Sequence, residues 1–391
     1  MRVKLSLIAL CLVMAAMLAA CGGEAKQDEK NDKKADVETG EVAAPAKLVL
    51  GVAGAHSGDL ASYGLPTVNA AKLVADKLNA AGGVNGAMVE VMPQDDQCKP
   101  ELATNVATKL LSDDVKVVLG HICSGATKAA LPIYLSGKIV VMSPSATNPP
   151  LTQSGEYPNF FRTIAPDDAQ AALEVSFAKS LGLKKVAIIH DKGDYGKGFA
   201  SFCKQFIDAD PAIEQVLFEG VTPGAVDYSA VVQKIKSSGA EGVIFGGYHP
   251  EASKIVTGLR KKGMDMPFMS DDGVKDDTFI KVAGKYAEGV YATGPMDFSN
   301  NPLYQEAVAA HKAKFGTDPG PFFPEAYSAA LALLNAVKVA GGTDYDKMID
   351  ALHTSYVETP VGKIKFDAKG DAEGVGFSVY QVKDGKYVEV K

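Results

Sequence analysis

Short β-branched runs alternate with helical patterns along almost the whole chain. Leu48 to Val52 reads as a strand, and a helical pattern from about Pro66 to Ala80 follows, with Ala70, Leu73, Val74 and Leu78 on one face and Gly82-Gly83 as its stop. The unit recurs. Met88 to Met92, Val115 to Leu119, Ile139 to Met142 and Phe160 to Ile164 are predicted strands, with helices near Glu101 to Leu111 and after Ser124. A second series begins with a helix over Asp167 to Ser180. It runs through strands at Lys185 to Ile189, Gln215 to Glu219, Gly242 to Phe245, Pro267 to Met269 and Gly289 to Thr293, with helices at Tyr195 to Ile207, Tyr228 to Ser237 and Pro250 to Lys262 between them.

Three helical patterns come next: Pro302 to Phe315, Glu325 to Val339 and Asp344 to His353. The middle one is apolar nearly all round and should be buried. Gly362 to Phe366, Gly376 to Val382 and Lys386 to Val390 read as closing strands, the last pair joined by an Asp384-Gly385 hairpin signal. No sequence repeat of fixed period is present; what repeats is strand–helix alternation, twice. The predicted fold class is α/β, with two doubly wound Rossmann-like lobes, parallel-core sheets and a hinge crossed more than once.

The first residues belong to a different regime. Arg2 and Lys4 precede an apolar run from Leu5 to Leu18, which ends in Leu18-Ala19-Ala20-Cys21-Gly22, the layout of a secretory signal. The ending resembles a bacterial lipobox, in which Cys21 would be lipidated and become the first mature residue. Residues 22 to 46 are rich in Glu, Asp, Lys and Ala, with almost no large apolar side chains, and suit a flexible tether. Residues 1–20 are thus read as signal peptide and 21–46 as lipidated cysteine and tether, so the mature protein is expected on the periplasmic or cell-surface side of a membrane, held by its anchor only.

Charge and cysteine content narrow the function. The formal net charge is −7, and both basic residues of the leader leave with it, so a nucleic-acid partner is not expected. Cys98, Cys123 and Cys203 remain after Cys11 and Cys21 are set aside, and export favours a disulfide. Cys98 and Cys123 could lie at one edge of one sheet, whereas Cys203 sits in a helical pattern as a buried thiol.

Candidate chemistry gathers where the strands end. Ligands of open α/β sheets bind outside the carboxyl ends of the strands. After the predicted strands stand His56-Ser57-Gly58 with Tyr63; Ser124; Ser143-Pro144-Ser145-Ala146-Thr147; Tyr195; Tyr248-His249; and Ser270-Asp271-Asp272-Gly273. Hydroxyls and a helix N-terminus on one lobe face aromatics and a carboxylate on the other. Such a set suits a small zwitterion, with the carboxylate at Ser124 and Thr147, the ammonium at Asp272, and Tyr63, Tyr195 and Phe322 as pocket walls.

These stretches, together with Asp95-Asp96-Gln97-Cys98, Gly120-His121-Ile122-Cys123-Ser124, His190-Asp191-Lys192 and Gly246-Gly247-Tyr248-His249-Pro250-Glu251, resemble the branched-chain amino-acid binding proteins of ABC transporters, of the type I periplasmic binding fold. The resemblance covers Lys47 to the C-terminus. It implies that Ser124 and Thr147 hold a ligand carboxylate, that the backbone at Ser145 and the side chain of Tyr248 help to place the ammonium, with Ala146 also at the ligand, that Asp272 pairs with the ammonium, and that Cys98 and Cys123 are bridged. It also implies a monomer that delivers a branched-chain or other small aliphatic amino acid to a permease, with no cofactor and no catalysis.

Lobes of residues 47–165 with 295–375, and of 166–294 with 376–391, are expected on this reading. Two positions depart from the family: its best-known members carry glutamate where Asp272 stands, and the stretch Phe323-Pro324-Glu325 could admit a second polar group. An amide or urea sensor on the same fold is the alternative within the class. Outside it stands an exported hydrolase using His121 and Ser124, although no Gly-x-Ser-x-Gly elbow is present. No metal-binding motif appears among the six histidines.

Overall fold

The computed structural model describes residues 46–390. Signal peptide, tether and Cys21 lie outside them, Ala46 excepted. The first series comprises β1 (Lys47–Gly54), α1 (Ala61–Ala80), β2 (Met88–Asp95), α2 (Pro100–Ser112), β3 (Val117–Leu119), α3 (Ser124–Ser136), β4 (Val140–Ser143), α4 (Pro150–Gln153) and β5 (Phe160–Arg162). Its strands form an all-parallel sheet in the order β2-β1-β3-β4-β5. The central strands are buried on both faces, which is why they read as unbroken apolar runs rather than alternating ones.

The second series is α5 (Asp167–Ser180), β6 (Lys185–His190), α6 (Asp194–Asp208), β7 (Glu214–Gly220), α7 (Ser229–Ser238), β8 (Gly242–Gly246), α8 (His249–Lys261), β9 (Phe268–Ser270), α9 (Asp277–Ala283) and β10 (Tyr291–Pro295). Then come α10 (Pro302–Phe315), α11 (Phe323–Ala340), α12 (Tyr345–Thr354), β11 (Val357–Thr359), β12 (Gly362–Ile364), β13 (Phe377–Lys383) and β14 (Lys386–Glu389). The second sheet has the order β14-β13-β10-β9-β8-β6-β7, with β6 to β10 parallel and β13 antiparallel to β10. Its parallel part, β7-β6-β8-β9-β10, repeats the order of the first sheet. Each sheet therefore has a switch point beside its first strand, at β1/β3 and at β6/β8, the place where open α/β sheets take ligands.

Helix α11 is buried along most of its length against α1, β3 and β4, as its apolar circumference requires, and ends at Gly341 with φ +73°. Apolar clusters fill both faces of each sheet. The chain passes between lobes three times: after β5, after β10 and before β13. These crossings bond to one another, since Arg162 N–H donates to Gly370 O at 3.0 Å and Met296 N–H to Gly376 O at 3.1 Å. The fully buried Arg162 guanidinium meets Asp371 at 2.6 Å and donates to Asn148 O at 3.0 Å and Thr152 Oγ1 at 2.6 Å.

Several boundaries differ from those expected. Helix α1 begins five residues before Pro66, because residues 61–65 close onto the end of β1. There Gly64 lies so near Ala55 that a Cβ would stand 1.9 Å from its carbonyl oxygen, an approach only glycine permits. The seven-residue α9 has too short a period to be legible; Asp276 caps it by accepting from Thr278 N–H at 2.7 Å. The stretch from Gly362 does not join a main sheet. It pairs with β11 in a separate two-stranded ribbon. The Asp384-Gly385 turn does close the β13–β14 hairpin, with both residues at positive φ.

Candidate functional site

Side chains from both lobes meet where the two switch points face each other. Tyr63 from the first turn of α1, Ile122 before α3 and Ser145 after β4 come from the first lobe, joined by Phe322 at the start of α11. Tyr195 from α6, Tyr248 before α8, and Asp272-Gly273 after β9 come from the second. Together these eight line one small, partly open chamber of 10 Å³. Phe322 holds a left-handed backbone, φ +58°, which is unusual for an aromatic residue and aims its ring inward beside Tyr63.

The aromatic rings form a continuous run. Tyr195 and Tyr248 have centroids 5.2 Å apart, Tyr248 and Tyr63 6.0 Å, and Tyr63 and Phe322 6.0 Å. Two tyrosines grip the Asp272-Gly273 segment. Tyr63 O–H, from the opposite lobe, donates to Gly273 O at 2.6 Å, while its oxygen lies 2.7 Å from His249 Nδ1. A hydroxyl has one proton and a carbonyl only accepts, so His249 is the donor to Tyr63 and carries its hydrogen on Nδ1. Tyr195 O–H donates to Asp272 Oδ1 and accepts from Gly273 N–H at 2.9 Å.

Asp272 Oδ2, by contrast, is buried without a hydrogen-bond partner among the described residues. Burial raises this carboxyl from 3.8 to about 6. Its surroundings share the bias: burial also raises Asp167 and Asp271, Asp191 to about 6 and Glu325 to about 7. The surroundings of the chamber are therefore rich in buried carboxyl groups, only partly offset by the charge of Lys275 on Asp272 and Glu325 and of Arg162 on Asp167.

Six of the nine expected ligand residues line the chamber: Tyr63, Ser145, Tyr195, Tyr248, Asp272 and Phe322. Ser124, Ala146 and Thr147 are not among its lining residues. Ser124 starts α3, with Cys123 before it in an extended N-cap conformation, and its hydroxyl accepts from Asn148 N–H at 3.2 Å. Ala146 O accepts from Arg162, and Thr147 O from Asp167 N–H at 2.9 Å. Among the described residues the buried Thr147 hydroxyl has no hydrogen-bond partner within 3.5 Å, although the Asp167 carboxyl stands near enough to feel it. In this closed arrangement Ser145 donates its hydroxyl proton to Ile122 O at 2.8 Å.

Cys98 and Cys123 form a disulfide with Cα atoms 5.4 Å apart, tying the end of β2 to the start of α3, and Cys203 is a free buried thiol. Two larger recesses share walls with the chamber. One, of 540 Å³, shares Tyr195 and Tyr248 and includes Lys128, Lys192 and Lys197; the other, of 790 Å³, shares Asp272 and Phe322.

Gly273, Ile122, His249 and Asp276 went unassigned in the sequence. The last two complete the closure: Ser62 Oγ donates to Asp276 Oδ2 at 2.5 Å, and Asp276 stands 3.8 Å from His249. Their adjacency to Tyr248 and Asp272 was the available signal. His121 offers Ser124 no base, for its Nδ1 meets Asp96 at 2.5 Å and its Nε2 meets the Tyr134 hydroxyl at 2.9 Å. Among the described residues no group of three or more His, Cys, Asp or Glu could hold a metal ion, and no helix is long and apolar enough to cross a membrane.

Two doubly wound lobes, linked by a triple crossing and meeting ligand-bearing strand end to strand end, define a two-lobed α/β binding protein. Residues 47–386 match the family described as periplasmic binding protein, and the chain belongs to it. It is 38% identical over 346 residues to the leucine-, isoleucine-, valine-, threonine- and alanine-binding protein of Pseudomonas aeruginosa, covering 88% of this chain and 92% of that one. The crystal structure of a leucine binding protein, LivK, from Thermotoga maritima superposes with a TM-score of 0.81 at 25% identity, covering 88% of this chain and 98% of that one. The branched-chain amino acid transporter substrate binding protein LivJ from Streptococcus pneumoniae, solved with isoleucine, gives 0.78 at 27% identity, over 88% and 100%.

Proposed function

We propose that this protein is the exported receptor of an ABC importer, taking a free α-amino acid with an aliphatic stem between its two lobes and delivering it to a membrane permease. The observation that carries this reading is Asp272: a buried carboxyl whose Oδ2 has no partner, at the meeting of both lobes, calls for a cation to be enclosed with it. The α-ammonium takes that place, with Tyr248 and the backbone at Ser145 beside it. The α-carboxylate goes to the start of α3 at Ser124 and to the unpartnered Thr147 hydroxyl, with the Ala146 backbone near; helix N-termini favour such anions. Tyr63, Tyr195 and Phe322 wall the side chain.

Closure follows from contacts that only the closed form makes, such as Tyr63 to Gly273, so ligand shifts the population toward it. No bond is broken. Residues 47–165 with 295–375 act as one rigid lobe and 166–294 with 376–391 as the other, in a monomer anchored through lipid on Cys21. The relatives' printed ligands, leucine, isoleucine, valine, threonine and alanine among them, support the class.

Calorimetric titration of the unfolded-and-refolded, ligand-stripped protein with the twenty amino acids tests this, with tight binding of at least one expected. Binding of simple amides or urea but of no amino acid would replace the reading by the sensor alternative. Metabolic labelling with a fatty acid, lost in Cys21→Ala, tests the anchor.

A further inference from the structure

Asp272 and Phe322 each border two spaces, the ligand chamber and the 790 Å³ recess. The recess is thus where a side chain leads when its α-groups are fixed at Asp272 and it passes the Phe322 ring. Two charged groups stand on its walls, one from each lobe. Glu325, in the first turn of α11, is 4% exposed, and among the described residues no other residue hydrogen-bonds to its carboxylate. Lys275, three residues after Asp272, has no carboxylate within 4.0 Å among the described residues; its ammonium lies 4.2 Å from the Tyr380 ring centroid. Burial opposes charge on both, raising Glu325 and lowering Lys275.

Glu325 and Lys275 act on each other as opposite charges without sharing a hydrogen bond, and a wholly aliphatic side chain would seal both off with no polar group between them. A cationic side-chain terminus would satisfy Glu325 but meet Lys275. An anionic one would meet both Asp272 and Glu325. A carboxamide carries two N–H donors and a carbonyl acceptor on one carbon without net charge, which matches a carboxylate on one wall and an ammonium on the other.

We infer that the recess receives the side-chain terminus of the bound amino acid, and that the favoured terminus is a neutral carboxamide or its ureido equivalent, its N–H groups donating to Glu325 and its carbonyl accepting from Lys275. The inference rests on the placement of the α-groups proposed above and adds the ligand's distal chemistry to it.

The test is calorimetric titration of ligand-stripped protein with glutamine, with norleucine, which has similar length and no amide, and with leucine. Glutamine is expected to bind about tenfold or more tightly than norleucine, because a site built to hydrogen-bond a group rejects the analogue lacking it. That ratio should fall toward unity in both Glu325→Gln and Lys275→Met, so that a folding defect in one variant leaves the other to decide. Norleucine or leucine binding as tightly as glutamine, or a ratio unmoved in a folded variant, overturns the subsite while the α-group reading stands. Failure of all three ligands to bind overturns the subsite, and the α-group reading falls with it only when none of the other amino acids binds either.

Discussion

Replacing Asp272 with Asn separates the cost of a buried charge from its use. The wild-type carboxyl is raised from 3.8 to about 6 by burial. Two pKa units correspond to about 3 kcal/mol that oppose the ionised, ligand-free form. The sign is fixed by proton counting: between pH 3.8 and about 6 the folded state binds more protons at this site than the unfolded state, so stability falls as pH rises through that window. Asn removes the charge but puts an N–H where Oδ2 has no partner, an unfavourable change of about 1–3 kcal/mol.

Asp272→Asn should therefore leave ligand-free stability unchanged or raise it by up to about 2 kcal/mol near pH 8, with a smaller gain near pH 5. Amino-acid binding should weaken by about 2–5 kcal/mol, the usual loss when one partner of a buried charge pair is removed. Wild-type affinity should itself fall about tenfold per pH unit below about 6, because the ammonium must then ionise a protonated carboxyl. Thermal melts at both pH values, with and without leucine, read all of these. Affinity within threefold of wild type, or a ligand-free variant destabilised more at pH 8 than at pH 5, would refute the reasoning.

Tyr63→Phe removes the cross-lobe bond to Gly273 and strands the His249 Nδ1–H; amino-acid affinity should drop by roughly tenfold, about 1.4 kcal/mol, with small-angle scattering showing a more open liganded form. Gly64→Ala puts a Cβ 1.9 Å from the Ala55 carbonyl oxygen and should cost about 1–3 kcal/mol in denaturant unfolding, whereas the open Gly155 should tolerate surface exchange far better only where its positive φ is kept, as in Gly155→Asn. Paired Cys98→Ser and Cys123→Ser should lose roughly 3 kcal/mol for a bridge spanning 25 residues, read as a lower urea midpoint under non-reducing conditions.

Much of this architecture was legible because parallel strands buried on both faces leave unbroken apolar runs, and β8, fully buried from Gly242 to Gly246, is the plainest case. The strand-end rule then picked out Tyr63, Tyr195, Tyr248 and Asp272 without any three-dimensional information, since topology alone carries residues after parallel strands to one edge. Depth within that edge was not legible. Whether Ser124, Ala146 and Thr147 border the chamber depends on how Asn148, Arg162 and Asp167 fold back upon them, and those partners are set by the hinge rather than by local pattern. The seven-residue α9 and the three-residue β11, which lies outside the parallel sheets, hold too few periods to register.

The three crossings are bonded to one another, Arg162 to the Gly370–Asp371 stretch and Met296 to Gly376. A ribbon of laterally joined strands flexes like a leaf spring: it bends about one axis and resists torsion and sideways slip. The lobes then retain a single soft coordinate. Lobes that close along that coordinate would return Tyr63 to Gly273 and Phe322 to the same recess at each stroke, so capture would need no search over relative orientations.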